Sequence, residues 1–113
     1  MKFSFSLLAL AMISTAQAAD YSSCRNDLNG VADAYTAYMS KQSASCIEEM
    51  NKPGATRSRL SILAKCSNAI GELQPIKDRS GTACSQCKGV DAKIAEACQD
   101  DGVQTFINRV KAL

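Results

Sequence analysis

"CRNDLNGVADAYTAYM", residues 24–39, decides the fold class. Cys24, Leu28, Val31, Tyr35, Tyr38 and Met39 recur at i, i+4, i+7, i+11, i+14 and i+15, one stripe of a 3.6-residue helix. Ser22 and Ser23 are placed to cap its first turn. Gly30 weakens the helix by about 1 kcal/mol relative to alanine, yet the pattern continues past it. The stripe loses phase in "SKQSAS", residues 40–45, where a second helix is expected. Ser45 and Glu48 have capping-box spacing, "CIEEM" follows, and "NKPG", residues 51–54, is the strongest turn signal in the chain. Thr56 then caps a third helix carrying Leu60, Leu63, Ala64 and Ile70, with Cys66 at its edge and Gly71 and Pro75 marking its stop.

"IKDRSG", residues 76–81, reads as a polar connector. Beyond it, "TACSQCKGVDAKIAEAC", residues 82–98, places Cys84, Cys87, Val90 or Asp91, Ile94 and Cys98 near one helical face, with Gly89 as a point of interruption. "DDG", residues 100–102, is a turn, and Val103, Phe106, Ile107 and Val110 form a last helical stripe. No window alternates with the period of two that a strand requires. The expectation is an all-α, compact bundle of four to five short helices.

The first residues bear on compartment. "MKFSFSLLALAMISTAQA" has a positive charge at Lys2, an apolar run from Leu7 to Ile13, and small residues at Ala16 and Ala18. These are the three regions of a secretory signal peptide, and the run falls short of the about 20 residues that span a bilayer. Residues 1–18 are therefore expected to be a signal peptide and residues 19–113 a single secreted domain. Removing Lys2 from the 13 basic residues leaves 12 against 11 acidic ones, a net charge of +1. Nucleic-acid or anionic-membrane binding by bulk charge needs clustered lysine and arginine, so neither is expected. No transmembrane segment and no N-glycosylation acceptor follow residue 19.

All six cysteines lie after that segment: Cys24, Cys46, Cys66, Cys84, Cys87 and Cys98. An even number in a short secreted chain implies three disulfides, and a domain of about 95 residues gains much from such staples. Six cysteines allow 15 pairings. Antiparallel packing of neighbouring helices ranks them: Cys66, late in the third helix, returns beside Cys24, and the next helix begins there with Cys84 and Cys87. Cys98 then finishes near Cys46. The expected set is Cys46–Cys98, with Cys24 and Cys66 each bonded to one of Cys84 and Cys87.

The C-x-x-C of Cys84 and Cys87 has two chemical readings besides a staple. A thioredoxin-like centre needs the pair after a strand at a helix start, and here it follows a polar connector. A zinc site needs four cysteine or histidine ligands, and the chain has no histidine. That lack also removes the usual general base for serine or cysteine nucleophiles. The pairs Glu48–Glu49 and Asp100–Asp101 are adjacent, so their side chains diverge by about 100° on a helix and read as solvated surface. "DDG" is too short for a calcium loop. Tyr35 and Tyr38 read as packing at the core edge. No catalytic residue, cofactor or metal is expected, and the chain is read as a non-enzyme.

With its signal peptide, about 95 further residues and six cysteines, the chain resembles the small cysteine-rich secreted effectors of plant-pathogenic fungi. The opening "MKFSFSLLALAMISTAQA" and the length are most similar to the biotrophy-associated secreted proteins of blast fungi. "YSSC", residues 21–24, has one residue more than the aromatic-x-Cys motif of mildew effectors, and "RSRL", residues 57–60, is not the R-x-L-R of oomycete effectors. The resemblance implies a virulence protein released during biotrophic infection, acting in the host apoplast or inside host cells on a host protein or extracellular component. The alternative is a helical carrier of lipid or small apolar ligands, or a membrane-interacting protein, of saposin-like plan. Against that plan, saposins place a C-x-x-C near the chain start, and large apolar residues are too sparse here to wall a lipid cavity.

Overall fold

The computed structural model describes residues 20–67 and 70–113, so the expected signal peptide lies outside the described residues. Six helices follow in order: α1 (Tyr21–Met39), α2 (Ala44–Met50), α3 (Arg59–Lys65), α4 (Ile70–Cys87), α5 (Ala92–Ala97) and α6 (Val103–Lys111). The described residues contain no strand. The all-helical class is as expected, with one helix more than the upper count.

The expected stripe is the buried face of α1: Cys24, Leu28, Val31, Ala32, Tyr35, Tyr38 and Met39 are all in the core. Its start is capped by Asp20 and not by Ser22 or Ser23; the Ser23 amide donates to Asp20 Oδ1 at 2.7 Å. A carboxylate two residues before Ser22 serves because it also meets the positive end of the helix dipole. α1 packs against both α4 and α6, so it is the element around which the core assembles. Tyr35 meets Phe106 of α6 edge to face, ring centroids 5.8 Å apart. Such a pair adds about 0.5–1.5 kcal/mol beyond the area it buries.

Two caps fall elsewhere than expected. Ser43, not Ser45, caps α2 through the Cys46 amide, and Ser58, not Thr56, caps α3 through the Ser61 amide. The later start of α3 turns a different face inward. Ile62 and Cys66 are buried, whereas Leu60 is 78% exposed and Leu63 faces solvent. Four residues separate Ile62 from Cys66, so the residue that bonds α3 to α2 selects the buried side.

The segment expected to end the third helix and serve as a connector is instead the N-terminal part of α4. Gly71 and Pro75 lie within its first two turns, and Pro75 removes one backbone donor without stopping the helix. Pro75 is the sixth residue of the helix, beyond the four amides that lack a partner, so it costs a backbone hydrogen bond that packing must offset. What holds α4 helical is its seam against α1: Leu73, Ile76, Ala83, Cys84 and Cys87 recur at helical spacing and are buried or half-buried. α4 ends at Cys87, and a turn through Gly89 leads to α5, whose cap is Asp91. The interruption falls where Gly89 predicted it.

The turns "NKPG" and "DDG" dock on each other. The Gly54 amide donates to the Asp100 carbonyl at 2.7 Å. Asn51 closes α2, and its Oδ1 accepts from the Gln104 amide at 2.8 Å in the first turn of α6. It thus serves as the side-chain cap that Gly102, the residue at the cap position of α6, cannot supply. Gly102 has φ of 103°, and a Cβ there would lie 2.5 Å from the Asn51 carbonyl oxygen. Glycine is required at this crossing for both reasons.

Candidate functional site

All six cysteines are bonded, and the pairing corrects the expectation in two of three bonds. Cys24–Cys87, Cys46–Cys66 and Cys84–Cys98 have Cα separations of 5.7, 5.1 and 5.7 Å. Cys24 does bond to a member of the C-x-x-C pair. Cys46–Cys98 does not form, and Cys66 does not reach Cys84 or Cys87. The cause is the end of α3 at Lys65: the helix is short and packs on α2, so Cys66 at its end meets Cys46 in the first turn of α2. Cys98 at the end of α5 folds back on Cys84 of α4. The C-x-x-C pair still joins one helix to two other elements, as expected, but they are α1 and the end of α5.

The bonds differ in environment. Cys24, Cys87, Cys46 and Cys66 are fully enclosed, whereas Cys84 and Cys98 are both partly exposed. Cys84 and Cys98 line a cleft of about 240 Å³ between α4, the "DDG" turn and the start of α6. Tyr35, Val103 and Phe106 give the cleft an apolar side, while Arg57, Lys77 and Ser80 bring polar groups to it. Arg57 is the organising residue. Its side chain is 12% exposed, its Nη1 donates to the Met50 carbonyl at 3.2 Å, and its Nη2 meets Asp100 Oδ1 at 2.7 Å. Burial raises the Tyr35 hydroxyl above its ordinary pKa of 10.0, opposed by the nearby Arg57 charge and by Ser80. Tyr35 is therefore a neutral donor at physiological pH.

The acid pairs are not simply solvated surface. Glu49 is 1% exposed, while its neighbour Glu48 faces solvent. The divergence of adjacent helical positions is the reason one acid points inward while the other faces solvent. Its Oε2 lies 2.8 Å from Lys52 Nζ and 3.4 Å from Lys65 Nζ, and its Oε1 accepts from the Ser58 amide at 3.4 Å. The hydrogen bond from Lys52 holds the Glu49 carboxyl below its usual range, aided by Ser58 and Lys65 against the opposing effect of burial. The same contact raises the Lys52 ammonium. Glu49 thereby ties α2 to α3 beside the Cys46–Cys66 bond. Asp100 and Asp101 are likewise used, by Arg57 and by Arg109 at 2.8 Å.

Tyr35 and Tyr38 are core residues; the small uncovered part of Tyr35 borders the cleft. The Tyr38 hydroxyl is buried without a hydrogen-bond partner among the described residues. Sequence reasoning missed Arg57, Asn51 and Glu49. Arg57 and Asn51 act across elements distant in the chain, so spacing carried no signal for them; for Glu49 the i,i+3 spacing to Lys52 was the available signal. Among the described residues, no group of three or more His, Cys, Asp or Glu side chains is arranged to hold a metal ion. No helix there is long and apolar enough to cross a membrane. No protein-family model, curated protein or solved structure matches the chain.

Proposed function

We propose that this chain is a secreted, cysteine-rich interaction protein that binds a host protein or extracellular component at the host–pathogen interface during biotrophic infection, without catalysing a reaction. The observation that supports this reading most is the set of three disulfides, which link α1 to α4, α2 to the end of α3, and α4 to the end of α5. Such bonds persist in oxidising compartments, in keeping with the signal-peptide pattern of residues 1–18. Cross-linking of this kind suits a small domain that keeps one shape outside the cell while presenting its surface to a partner.

The test has two arms. The epitope-tagged chain, expressed from its own leader, is expected in the culture medium with no free thiol, and loss of its gene is expected to reduce host colonisation. Retention inside the cell would overturn secretion. Unaltered colonisation and defence response in a strain lacking the gene would overturn the effector role. Lipid co-purifying with the secreted protein in native mass spectrometry would move the assignment to a carrier.

A further inference from the structure

The cleft beside Arg57 has the composition of a small-ligand site: apolar residues on one side, donor-bearing side chains on the other, and an excess of positive charge. Two cations and one carboxylate border it. The carboxylate, Asp100, is already neutralised by Arg57 at 2.7 Å. Lys77 makes no ion pair within 4.0 Å among the described residues. Its acidic neighbour Asp78 accepts from Gln74 Nε2 at 2.8 Å. The charge left over at the cleft is therefore that of Lys77.

Arg57 also has N–H groups to spare. The two hydrogen bonds of Arg57 occupy two of the five N–H groups of a guanidinium. Ser80 and Tyr35 hydrogen-bond each other, which leaves one of their two hydroxyl protons for a ligand. On the other side, Tyr35, Phe106 and Val103 line the cleft with the small apolar part of each that the core leaves uncovered, the two rings being fixed by their edge-to-face contact. A volume of about 240 Å³ admits a molecule the size of one substituted ring and excludes a lipid acyl chain with its head group.

We infer that this cleft binds a compact organic monoanion, an aromatic carboxylate, with its carboxylate on Lys77 and Arg57 and its ring against Val103 and Phe106. The inference goes beyond the interaction role proposed above and does not rest on it. A charged group without its apolar body would gain too little from the exposed Lys77, because water competes for an exposed ion pair. A neutral ring would leave the Lys77 charge unanswered.

The test is an amide-shift titration of the oxidised, isotope-labelled protein at constant ionic strength, with benzoate, benzamide and acetate as probes. Benzoate is expected to shift the amides of Ser80, Gly81, Val103 and Phe106 saturably, binding at least about tenfold more tightly than benzamide or acetate. Lys77→Gln, at an exposed position, is expected to weaken benzoate by about two- to fivefold. Equal binding of benzamide, shifts that do not saturate or lie away from the cleft, or undiminished binding by Lys77→Gln would each overturn the site.

Discussion

Removing Cys24–Cys87 with the double substitution Cys24→Ala/Cys87→Ala should be the most damaging of the three possible disulfide deletions. The bond spans 63 residues, against 20 for Cys46–Cys66 and 14 for Cys84–Cys98. The chain-entropy relation gives about 4.3, 3.3 and 3.0 kcal/mol for these loops at 25 °C. The predicted gap between the longest and shortest is thus about 1.3 kcal/mol. Burial widens it, because Cys24 and Cys87 are enclosed between α1 and α4, whereas Cys84 and Cys98 are partly exposed. Small domains have net stabilities of about 5–15 kcal/mol, so the first variant should lose roughly 30–90% of its stability. Guanidinium titrations of the two double-alanine variants, followed by far-ultraviolet circular dichroism, measure the difference directly. The reasoning fails if the Cys84→Ala/Cys98→Ala variant is the less stable of the two, or if losing Cys24–Cys87 costs under about 1 kcal/mol.

Four further outcomes follow from the same structure. Limited treatment with a dithiol should open Cys84–Cys98 first, since only that bond is partly exposed and attack needs access; mass spectrometry of alkylated intermediates reads the order. Gly102→Ala should cost roughly 2 kcal/mol or more, from the positive φ and the Asn51 carbonyl in the way, and Asn51→Ala about 1 kcal/mol for the lost cap on α6, both measurable by denaturant titration. Glu49 has a lowered folded-state pKa, so its contribution is present at neutral pH and is lost as pH falls from its ordinary 4.5 through the lower folded value; Glu49→Gln should flatten that part of the acid-stability curve. Tyr38→Phe should leave stability unchanged or raise it, because the hydroxyl it removes is buried without a partner among the described residues.

Those residues also show what was legible from sequence. The stripes of α1 and α6 were readable because one continuous helical face of each is buried, and periodicity then encodes burial directly. α4 was not, because local breakers were weighed without the tertiary seam that overrides them. Pro75 and Gly71 fall near the helix start, while Leu73, Ile76, Ala83 and Cys87 continue along a face that only α1 completes. That one misplaced boundary also misdirected the disulfides. A third helix running from Thr56 to Ile70 would have carried Cys66 back to Cys24; a short α3 carries it to Cys46. The cleft was illegible for a different cause. Tyr35, Arg57, Lys77 and Phe106 lie on four separate segments, and only the docking of the "NKPG" and "DDG" turns brings Arg57 to Asp100.

The disulfide pattern carries both the fold and the proposed role, and peptide mapping of the unreduced protein tests it most directly. Because Ser85 and Gln86 offer no tryptic site between Cys84 and Cys87, electron-transfer fragmentation must separate the two. The account predicts that the Cys24 peptide is attached to Cys87, the Cys98 peptide to Cys84, and the Cys46 and Cys66 peptides to each other. A Cys46–Cys98 or Cys84–Cys87 bond, or free thiols in the native protein, would contradict it.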